Sequence, residues 1–382
     1  TPKHELAEIV HRYGSQFLDT PGVLYQNRRT LQAISNCRTA ALGGHVSGCR
    51  ECGTISYHYN SCRNRHCPKC QVVSRERWIL QRESELLPVA YFHIVFTLPH
   101  EFNALVDEYA REVYAALFTA SWQTLQQFAL DPKHLGAKTG MTAVLHTWGQ
   151  QMWLHPHLHC IVPGGGITSQ GNWKQARNKG KYLFPTQAMA LVFRAKYMAA
   201  LRAQGVRIPQ SIAKKVMAKQ WVVDTKQPFC SPRTVVEYLG RYTHKIAISN
   251  HRLKNIDNGE ITFSYKDYKQ GCKQRQMTLK SDEFLRRFCL HILPSRFVRM
   301  RHYGILSSRN KAKDLNIAKA YFGMDAWEVL KVDWIEISIA KLGIDPNVCK
   351  ECGGELEVID ALPPQRGPPI PLFPPNLKFA SQ

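Results

Sequence analysis

Residues 155–160 read HPHLHC and place three histidines at alternating positions, followed at once by the glycine run PGGG at 163–166. Alternate residues of an extended chain point to the same side. His157 and His159 are therefore predicted to stand side by side on one face of a strand. Two neighbouring imidazoles suit a divalent metal with an open side for substrate. A pair of hydrogen-bonded core histidines is the alternative.

The third ligand of such a site is expected from the preceding strand, TAVLHTWGQ (142–150). His146 and Gln150 share a parity on that strand and are the two candidates, with His155 behind them. The glycine run that follows the histidines has two explanations. It permits close approach of a DNA backbone, or it forms a loop that needs positive φ.

The charge balance narrows the class of protein. The 382 residues include 51 Lys+Arg and 29 Asp+Glu, a net charge of +22. Such an excess is typical of proteins with a polyanionic partner, most often nucleic acid, although a merely soluble or ribosome-associated basic protein is an alternative. No apolar run approaches the ~18 residues that span a bilayer, and the N-terminal TPKHELAEIVHRYG predicts an amphipathic helix rather than a signal peptide. We expect a cytoplasmic protein with no membrane partner.

A block of cysteines at 37–70 predicts structural zinc. The chain has twelve cysteines, and cytosolic thiols are more often metal-bound than disulfide-paired. Two Cys-x-x-Cys turns can direct four thiolates to one tetrahedral zinc. Further Cys and His residues are enough for a possible second site, unless its cysteines are simply small buried residues. The first predicted set is Cys49, Cys52, Cys67 and Cys70, and the second is Cys37, His45, Cys62 and His66.

Basic side chains among these ligands suit contacts with a phosphate backbone. The predicted DNA-binding residues are Arg50, Arg63, Arg65 and Lys69. One more Cys-x-x-Cys turn, at 349–352, has no evident partners nearby. The candidates for its remaining ligands are Cys289, His291 and His302, and an unmetallated turn or an intermolecular site is the alternative.

Tyr238 and Tyr242 lie four residues apart in VVEYLGRYTHK. On a helix this spacing puts both hydroxyls on one face, which taken alone is ordinary packing. Beside a metal strand in a basic protein, the pair has a chemical use: a tyrosine oxygen attacks a metal-polarised phosphate and becomes linked to the DNA strand. Lys245 is a candidate to lower the tyrosine pKa or to balance charge on the phosphorane.

Together these motifs resemble a known family. The His-hydrophobe-His strand resembles the HUH motif of rolling-circle nucleases, and YLGRY (238–242) resembles the paired tyrosines of their two-tyrosine branch. VFTLPH (95–100) is similar to the strand that precedes HUH in those enzymes. With the cysteine block and FVRMRHYGIL (297–306), the motifs are similar in kind and order to the IS-ninety-one-type (IS91-type) rolling-circle transposases of bacteria. The resemblance covers residues 37–306.

The resemblance implies an α+β fold. An HUH nuclease core with a central antiparallel sheet would carry the tyrosine helix across it, preceded by a small zinc-binding domain and followed by a mixed C-terminal region. The expected domains are helices and zinc-binding domain at 1–80, HUH core at 85–250, α/β extension at 251–345, and a cysteine turn with a Pro-rich tail at 346–382. Gln150 is the preferred third ligand by resemblance, and His146 remains the other candidate.

The resemblance also implies an activity. A transposase of this type nicks and rejoins single-stranded DNA at element ends and target through a 5′-phosphotyrosine intermediate, with Mg²⁺ or Mn²⁺ at the histidines and zinc at the cysteines. No helicase motif is evident, so host helicase or replication machinery is the expected partner, in a nucleoid-associated setting. Two alternatives remain: a plasmid replication initiator or relaxase, and a non-catalytic zinc DNA-binding protein.

Overall fold

The computed structural model of the chain describes residues 2–176, 183–226, 234–235, 240 and 245–365. The helices are α1 (Leu6–Leu18), α2 (Tyr25–Ser35), α3 (Gln71–Glu83), α4 (Asn103–Leu130), α5 (Thr186–Ala203), α6 (Gln210–Ala218), α7 (Ser281–Cys289), α8 (Lys311–Tyr321) and the short α9 (Trp334–Ile337). The strands are β1 (Gly44–Cys49), β2 (Ile55–Tyr59), β3 (Tyr91–Thr97), β4 (Gly140–Trp148), β5 (Leu154–Pro163), β6 (Gly165–Ile167), β7 (Trp173–Gln175), β8 (Val222–Lys226), β9 (Leu253–Asp257), β10 (Glu260–Asp267), β11 (Lys273–Lys280), β12 (Met300–Gly304) and β13 (Leu356–Leu362). None of these helices is both long and apolar enough to cross a membrane.

A five-stranded antiparallel sheet forms the centre of the molecule, in the order β12-β4-β5-β3-β8. All nine residues of β4 are buried, as expected for an inner strand covered on both faces. The histidine strand β5 is the middle strand. The predicted α+β class with a central antiparallel sheet is therefore confirmed.

The two faces of this sheet have different neighbours. Leu158, Cys160 and Val162 of β5 point to one face, where they share a hydrophobic cluster with buried residues of α4 and α5. Because side chains alternate along a strand, His157 and His159 point to the opposite face. Helices α4 and α5 thus cover the apolar side of the sheet and leave the histidine side to other elements.

The N-terminal region is joined to later parts of the chain by two sets of contacts. Helices α1 and α2 share a buried cluster with residues of β9, β10 and α7. Strand β13 pairs with β1, which lies between β13 and β2 in a three-stranded sheet. The four-part domain division stays a prediction. In the structure, the expected domain at 1–80 contacts both the expected extension at 251–345 and the C-terminal segment at 346–382.

The glycine run after the histidine strand packs against the protein's own chain. A Cβ on Gly165 would lie 2.5 Å from the ring of Trp173, and one on Gly166 would lie 2.6 Å from the carbonyl oxygen of Lys138. Neither glycine has a positive φ. The explanation by positive φ is therefore wrong for these two glycines, which permit close approach within the protein. Close approach of a DNA backbone stays a prediction.

A buried carboxylate ties α3 to α8. Glu85 is 4% exposed, and one of its oxygens lies 2.6 Å from both the Arg82 guanidinium and the Lys311 ammonium. Removing one partner of a buried ion pair leaves uncompensated charge, which costs about 3–5 kcal/mol. We expect Glu85→Ala to lower the free energy of unfolding by that amount in a denaturant titration. Glu357→Ala breaks an exposed ion pair with Arg50 and should cost less than about 1 kcal/mol; equal losses would contradict the argument.

Candidate active site and zinc clusters

Three histidines converge on the face of the central sheet opposite helices α4 and α5. His146 of β4 is the direct cross-strand partner of His157 on β5, and His159 follows two residues later on the same face. One imidazole nitrogen from each lies within 4.8 Å of the others. The predicted histidine pair is therefore brought together, with His146 as the third member.

The Gln150 side chain hydrogen-bonds outside this cluster, so the structure favours His146 over Gln150 as the third ligand. The ladder between β4 and β5 has an irregularity between His146 and Trp148, and β4 ends there, before Gln150. The Gln150 amide donates to the Tyr268 hydroxyl at 3.3 Å, and its oxygen accepts from the backbone N–H of Lys266 at 3.4 Å. Parity alone could not separate the two candidates, because it assumes that the strand continues.

Hydrogen bonds on the far side of two rings orient them for metal binding. His157 Nδ1 donates to the carbonyl of His155 at 2.7 Å. His159 Nδ1 lies 2.9 Å from Nε2 of His93. The Nε2 atoms of His157 and His159 are 3.2 Å apart, and metal–nitrogen bonds of about 2.1 Å place neighbouring ligand nitrogens about 3.0–3.4 Å apart. The geometry and the donor set fit a divalent metal.

The electrostatic environment keeps these imidazoles neutral. Burial lowers the pKa of His157 to about 4, and the charge of Lys245 acts in the same direction. Burial also lowers the pKa of His159 well below its ordinary value, again with a smaller effect of Lys245. A neutral imidazole is the form that binds a metal. The Lys245 charge thus acts on both His157 and His159.

His93 contacts the histidine cluster through His159, a contact that the sequence did not reveal. It is completely buried on β3, and burial lowers its pKa to about 4. A single histidine in the apolar run YFHIVF carries no local signal, because its partner His159 lies 66 residues away. The contact is visible only once β3 and β5 are paired.

We expect His93→Ala to weaken metal binding about 10- to 100-fold, the usual cost of losing a hydrogen-bonding partner of a metal-binding histidine. His93→Gln keeps a hydrogen-bonding side chain and should retain most of the affinity. The measurement is a titration of purified protein with Mn²⁺, followed by calorimetry. Equal affinity in His93→Ala and the wild-type protein would show that the contact with His159 does not orient that ring.

Tyr238 and Tyr242 lie outside the described residues. The residues close to them in the sequence that the structure does describe lie on the histidine side of the sheet. Val235 is buried in a cluster that includes Ile161, which has the same parity on β5 as His159. A Cβ on Gly240 would lie 2.4 Å from Ile79 of the same cluster. The backbone carbonyl of Lys245 accepts from the Arg299 guanidinium at 3.2 Å.

Eight of the described cysteines form two groups of four, and both groups differ from the predicted sets. Strands β1 and β2 form a hairpin whose tip carries Cys49 and Cys52. A five-residue strand is about 17 Å long, so this tip lies far from Cys37 and Cys62, which flank the open end. The first group is Cys37, Cys62, Cys67 and Cys70, and the second is Cys49, Cys52, Cys349 and Cys352.

The sulfur spacing of the first group fits zinc. Cys37 Sγ and Cys62 Sγ lie 3.4 and 3.6 Å from Cys70 Sγ. Four Zn–S bonds of 2.3 Å in a tetrahedron place the sulfurs about 3.8 Å apart. The donor set and the spacing of the first group, four thiols from residues 37–70, therefore fit a structural zinc.

The other predicted zinc ligands have different partners. His45 stacks on His58, with ring centroids 5.0 Å apart, and His66 is buried outside the sulfur groups. Cys289 is buried in the hydrophobic core. His291 and His302 interact with Met152 and Thr142 respectively. None of these residues joins a cysteine group, because the thiols that complete each site come from other parts of the chain.

Three of the four predicted DNA-binding residues interact within the protein. Arg50 pairs with Glu355 and Glu357, and Lys69 pairs with Glu5 at 2.5 Å. Arg65 donates to the carbonyls of Pro294 and Phe297. Arg63 is exposed. These four residues remain predicted DNA contacts, with Arg63 as the member whose side chain is exposed to solvent.

Comparison with known proteins assigns the family. A family model described as "Putative transposase" matches residues 140–313, and one described as "Transposase zinc-binding domain" matches residues 9–98. "Putative transposase y4qJ" of Sinorhizobium fredii is 42% identical over 337 residues, which are 84% of each chain. "Transposase for insertion sequence element IS801" of Pseudomonas savastanoi pv. phaseolicola is 28% identical over 343 residues, 86% of this chain and 82% of that protein.

A solved structure of a conjugative relaxase, TrwC, in complex with oriT DNA aligns with 58% of this chain and 95% of its own, at a TM-score of 0.26 and 13% identity. The two family models cover the zinc-binding region and the part of the sheet that carries the three histidines. The chain therefore belongs to the IS91-type transposases.

Proposed function

We propose that this transposase nicks and rejoins single-stranded DNA at the ends of its element by metal-assisted tyrosine attack. The observation that carries the proposal is the convergence of His146, His157 and His159 on one face of the central sheet. Membership of a transposase family favours transposition over a plasmid replication initiator or relaxase with the same chemistry. Strand displacement would then depend on a host helicase or on replication.

The three histidines would hold one divalent metal through their imidazole nitrogens. When bound, the metal polarises the scissile phosphate as a Lewis acid. Of the two ions considered, Mn²⁺ is favoured over Mg²⁺, because Mg²⁺ prefers oxygen ligands and imidazole is a softer donor. The chain's own contribution is to fix the two rings through His155 and His93 and to keep them neutral.

Tyr238 and Tyr242 are the proposed nucleophiles. The phenolic oxygen forms a bond to phosphorus as the bond from phosphorus to the 3′-oxygen breaks. The phenol loses its proton, the leaving 3′-oxygen takes one up, and the products are a 3′-hydroxyl and a 5′-phosphotyrosine. Two tyrosines permit two sequential transfers without release. The charge of Lys245, which lowers the pKa of both His157 and His159, supports a role in balancing negative charge on the phosphorane.

Exposed aromatic side chains near the histidines support a single-stranded substrate. Trp153 is 47% exposed and Tyr268 is 65% exposed. Both contact the connection between β4 and β5, since Trp153 belongs to it and Tyr268 accepts from Gln150. The Arg287 guanidinium lies 3.5 Å from the centre of the Trp153 ring. Bases of a single strand stack on such aromatic surfaces, and basic residues bind its backbone.

Covalent capture tests the proposal. Purified protein is mixed with labelled single strands that cover the DNA flanking its own gene, in the presence of Mn²⁺ or Mg²⁺. A protein–DNA adduct that survives a denaturing gel, and that is lost in His157→Ala, is the expected result. Tight binding without an adduct on any strand would favour the non-catalytic DNA-binding role. Recurrence of the gene in several copies between matching ends would separate transposition from plasmid replication.

A further inference from the structure

We propose that Cys49, Cys52, Cys349 and Cys352 bind a second structural zinc, which fastens the C-terminal strand β13 to the N-terminal zinc-binding region. We call this site the zinc clasp. Its two halves come from positions about three hundred residues apart, since Cys49 and Cys352 are separated by 303 residues. The zinc-binding family model ends at residue 98, so two of the four thiols lie beyond it.

The two halves are the same turn. The first reads CRECG at 49–53 and the second reads CKECG at 349–353. In each, the glycine N–H donates to the carbonyl of the first cysteine, at 3.1 Å for Gly53 and 3.0 Å for Gly353. Both glycines have positive φ, 71° and 80°, a conformation that glycine adopts without strain. Paired turns of this kind, with two thiols each, build the four-cysteine site of zinc ribbons.

The backbone around each turn repeats as well. The N–H of Cys49 donates to the carbonyl of Thr54 at 3.0 Å, and the N–H of Cys349 donates to that of Gly354 at 2.8 Å. Each turn therefore closes a small hairpin in the same way. These backbone hydrogen bonds hold the thiol pair of each turn in the same local orientation.

The sulfur atoms meet across the two turns at zinc-binding distances. Cys49 Sγ lies 3.4 Å from Cys352 Sγ, and Cys52 Sγ lies 3.8 Å from Cys349 Sγ. A tetrahedron with Zn–S bonds of 2.3 Å requires separations of about 3.8 Å. All four sulfurs lie within 4.8 Å of one another. Cys49 and Cys349 are buried and Cys52 and Cys352 are exposed, so the site lies at the surface.

Strand pairing and charge hold the two segments in register. β13 pairs with β1 from Cys49 opposite Leu356 to Gly44 opposite Leu362. Beside the turns, Arg50 pairs with Glu355 and Glu357 of the C-terminal segment. The zinc clasp therefore lies at one end of the antiparallel ladder of β1 and β13. None of its four thiols lies at the other end. Its metal would prevent the ladder from opening at the turn end.

Thiol reactivity in the full-length wild-type protein tests the clasp. Cys52, Cys352 and Cys272 are all exposed, but Cys272 belongs to neither cysteine group and serves as an internal control. With zinc bound, iodoacetamide should modify Cys52 and Cys352 about tenfold more slowly than Cys272, because a metal-bound thiolate is a poor nucleophile. A zinc chelator should abolish the protection of both turns together. Mass spectrometry of digested protein reads each site.

Zinc content gives the second measurement. In a His157→Ala background, which removes a ligand of the histidine cluster, the otherwise wild-type protein and the control Cys272→Ser should each carry about two zinc ions per chain, and Cys349→Ser with Cys352→Ser about one. Two zinc ions in that double variant would overturn the proposal. So would Cys52 and Cys352 reacting as fast as Cys272, or protection that resists the chelator and is lost with a reductant, since that would indicate disulfides. The alkylation test needs no variant and stands even if the double variant fails to fold.

Discussion

Covalent linkage to DNA is expected to disappear when Tyr238 and Tyr242 are both replaced by phenylalanine. Phenylalanine keeps the ring and removes the only nucleophilic atom, so packing changes little while no phosphotyrosine can form. Loss of a nucleophile costs at least about three orders of magnitude in rate. The measurement is adduct yield on a denaturing gel, with DNA binding followed in parallel by a mobility shift.

Tyr25→Phe is the matched control for that experiment. Tyr25 is 74% exposed on α2, outside the histidine cluster, and its variant should form the adduct at the wild-type rate. The single variants Tyr238→Phe and Tyr242→Phe should each retain one linkage and identify which tyrosine reacts with which end. Undiminished adduct in the double variant would return both tyrosines to ordinary packing and require another nucleophile.

A second large effect separates the two candidates for third ligand. His146→Ala should reduce adduct formation by more than about 100-fold, because loss of a ligand exceeds the 10- to 100-fold cost of changing a residue behind one. Gln150→Ala should leave the Mn²⁺ concentration for half-maximal rate unchanged, because the Gln150 side chain bonds Tyr268 and Lys266 outside the histidine cluster. The measurement is the initial rate of adduct formation as a function of Mn²⁺ concentration.

The concentration dependence makes this comparison specific. Loss of a ligand should raise the Mn²⁺ concentration needed for half-maximal rate, whereas general damage to the fold would lower the rate at every concentration. Thermal unfolding of both variants provides the control for folding. The opposite ranking, with Gln150→Ala inactive and His146→Ala active, would show that the geometry of the histidine cluster is not that of the reacting complex.

The sequence predicted the parts of the site that depend on local periodicity. Two histidines at i and i+2 must share a face of any strand, and the structure confirms that they do. The choice between His146 and Gln150 depends on where β4 ends and on the irregularity after His146. Those features arise from pairing with β5, so the spacing of residues could not decide between the two.

The cysteine sets were wrong for a related reason. The prediction grouped cysteines that are close in the sequence. In the structure, Cys49 and Cys52 lie at the tip of the hairpin of β1 and β2, whereas Cys37 and Cys62 flank its open end. A useful signal was nevertheless present, since CRECG and CKECG are almost the same five residues.

Isolated buried residues mark the limit of such reasoning. His93 lies in a segment whose sequence is typical of a buried strand, and Glu85 follows the end of helix α3. Their roles come from partners 66 and 226 residues away. Nothing in the local pattern distinguishes them from other buried polar residues until the strands and helices are assembled.

The pairing of β1 with β13 has a consequence for the order in which the molecule is made. Ribosomes add about 5–20 residues per second, so Cys352 follows Cys49 by roughly 15–60 s. The four thiols of the first group are all translated by residue 70. Strand β1, in contrast, has one unpaired edge until β13 is translated. An unpaired strand edge is open to association with other chains. The free edge of β1 is therefore exposed to such association until residue 362 has been translated and β13 can pair with it.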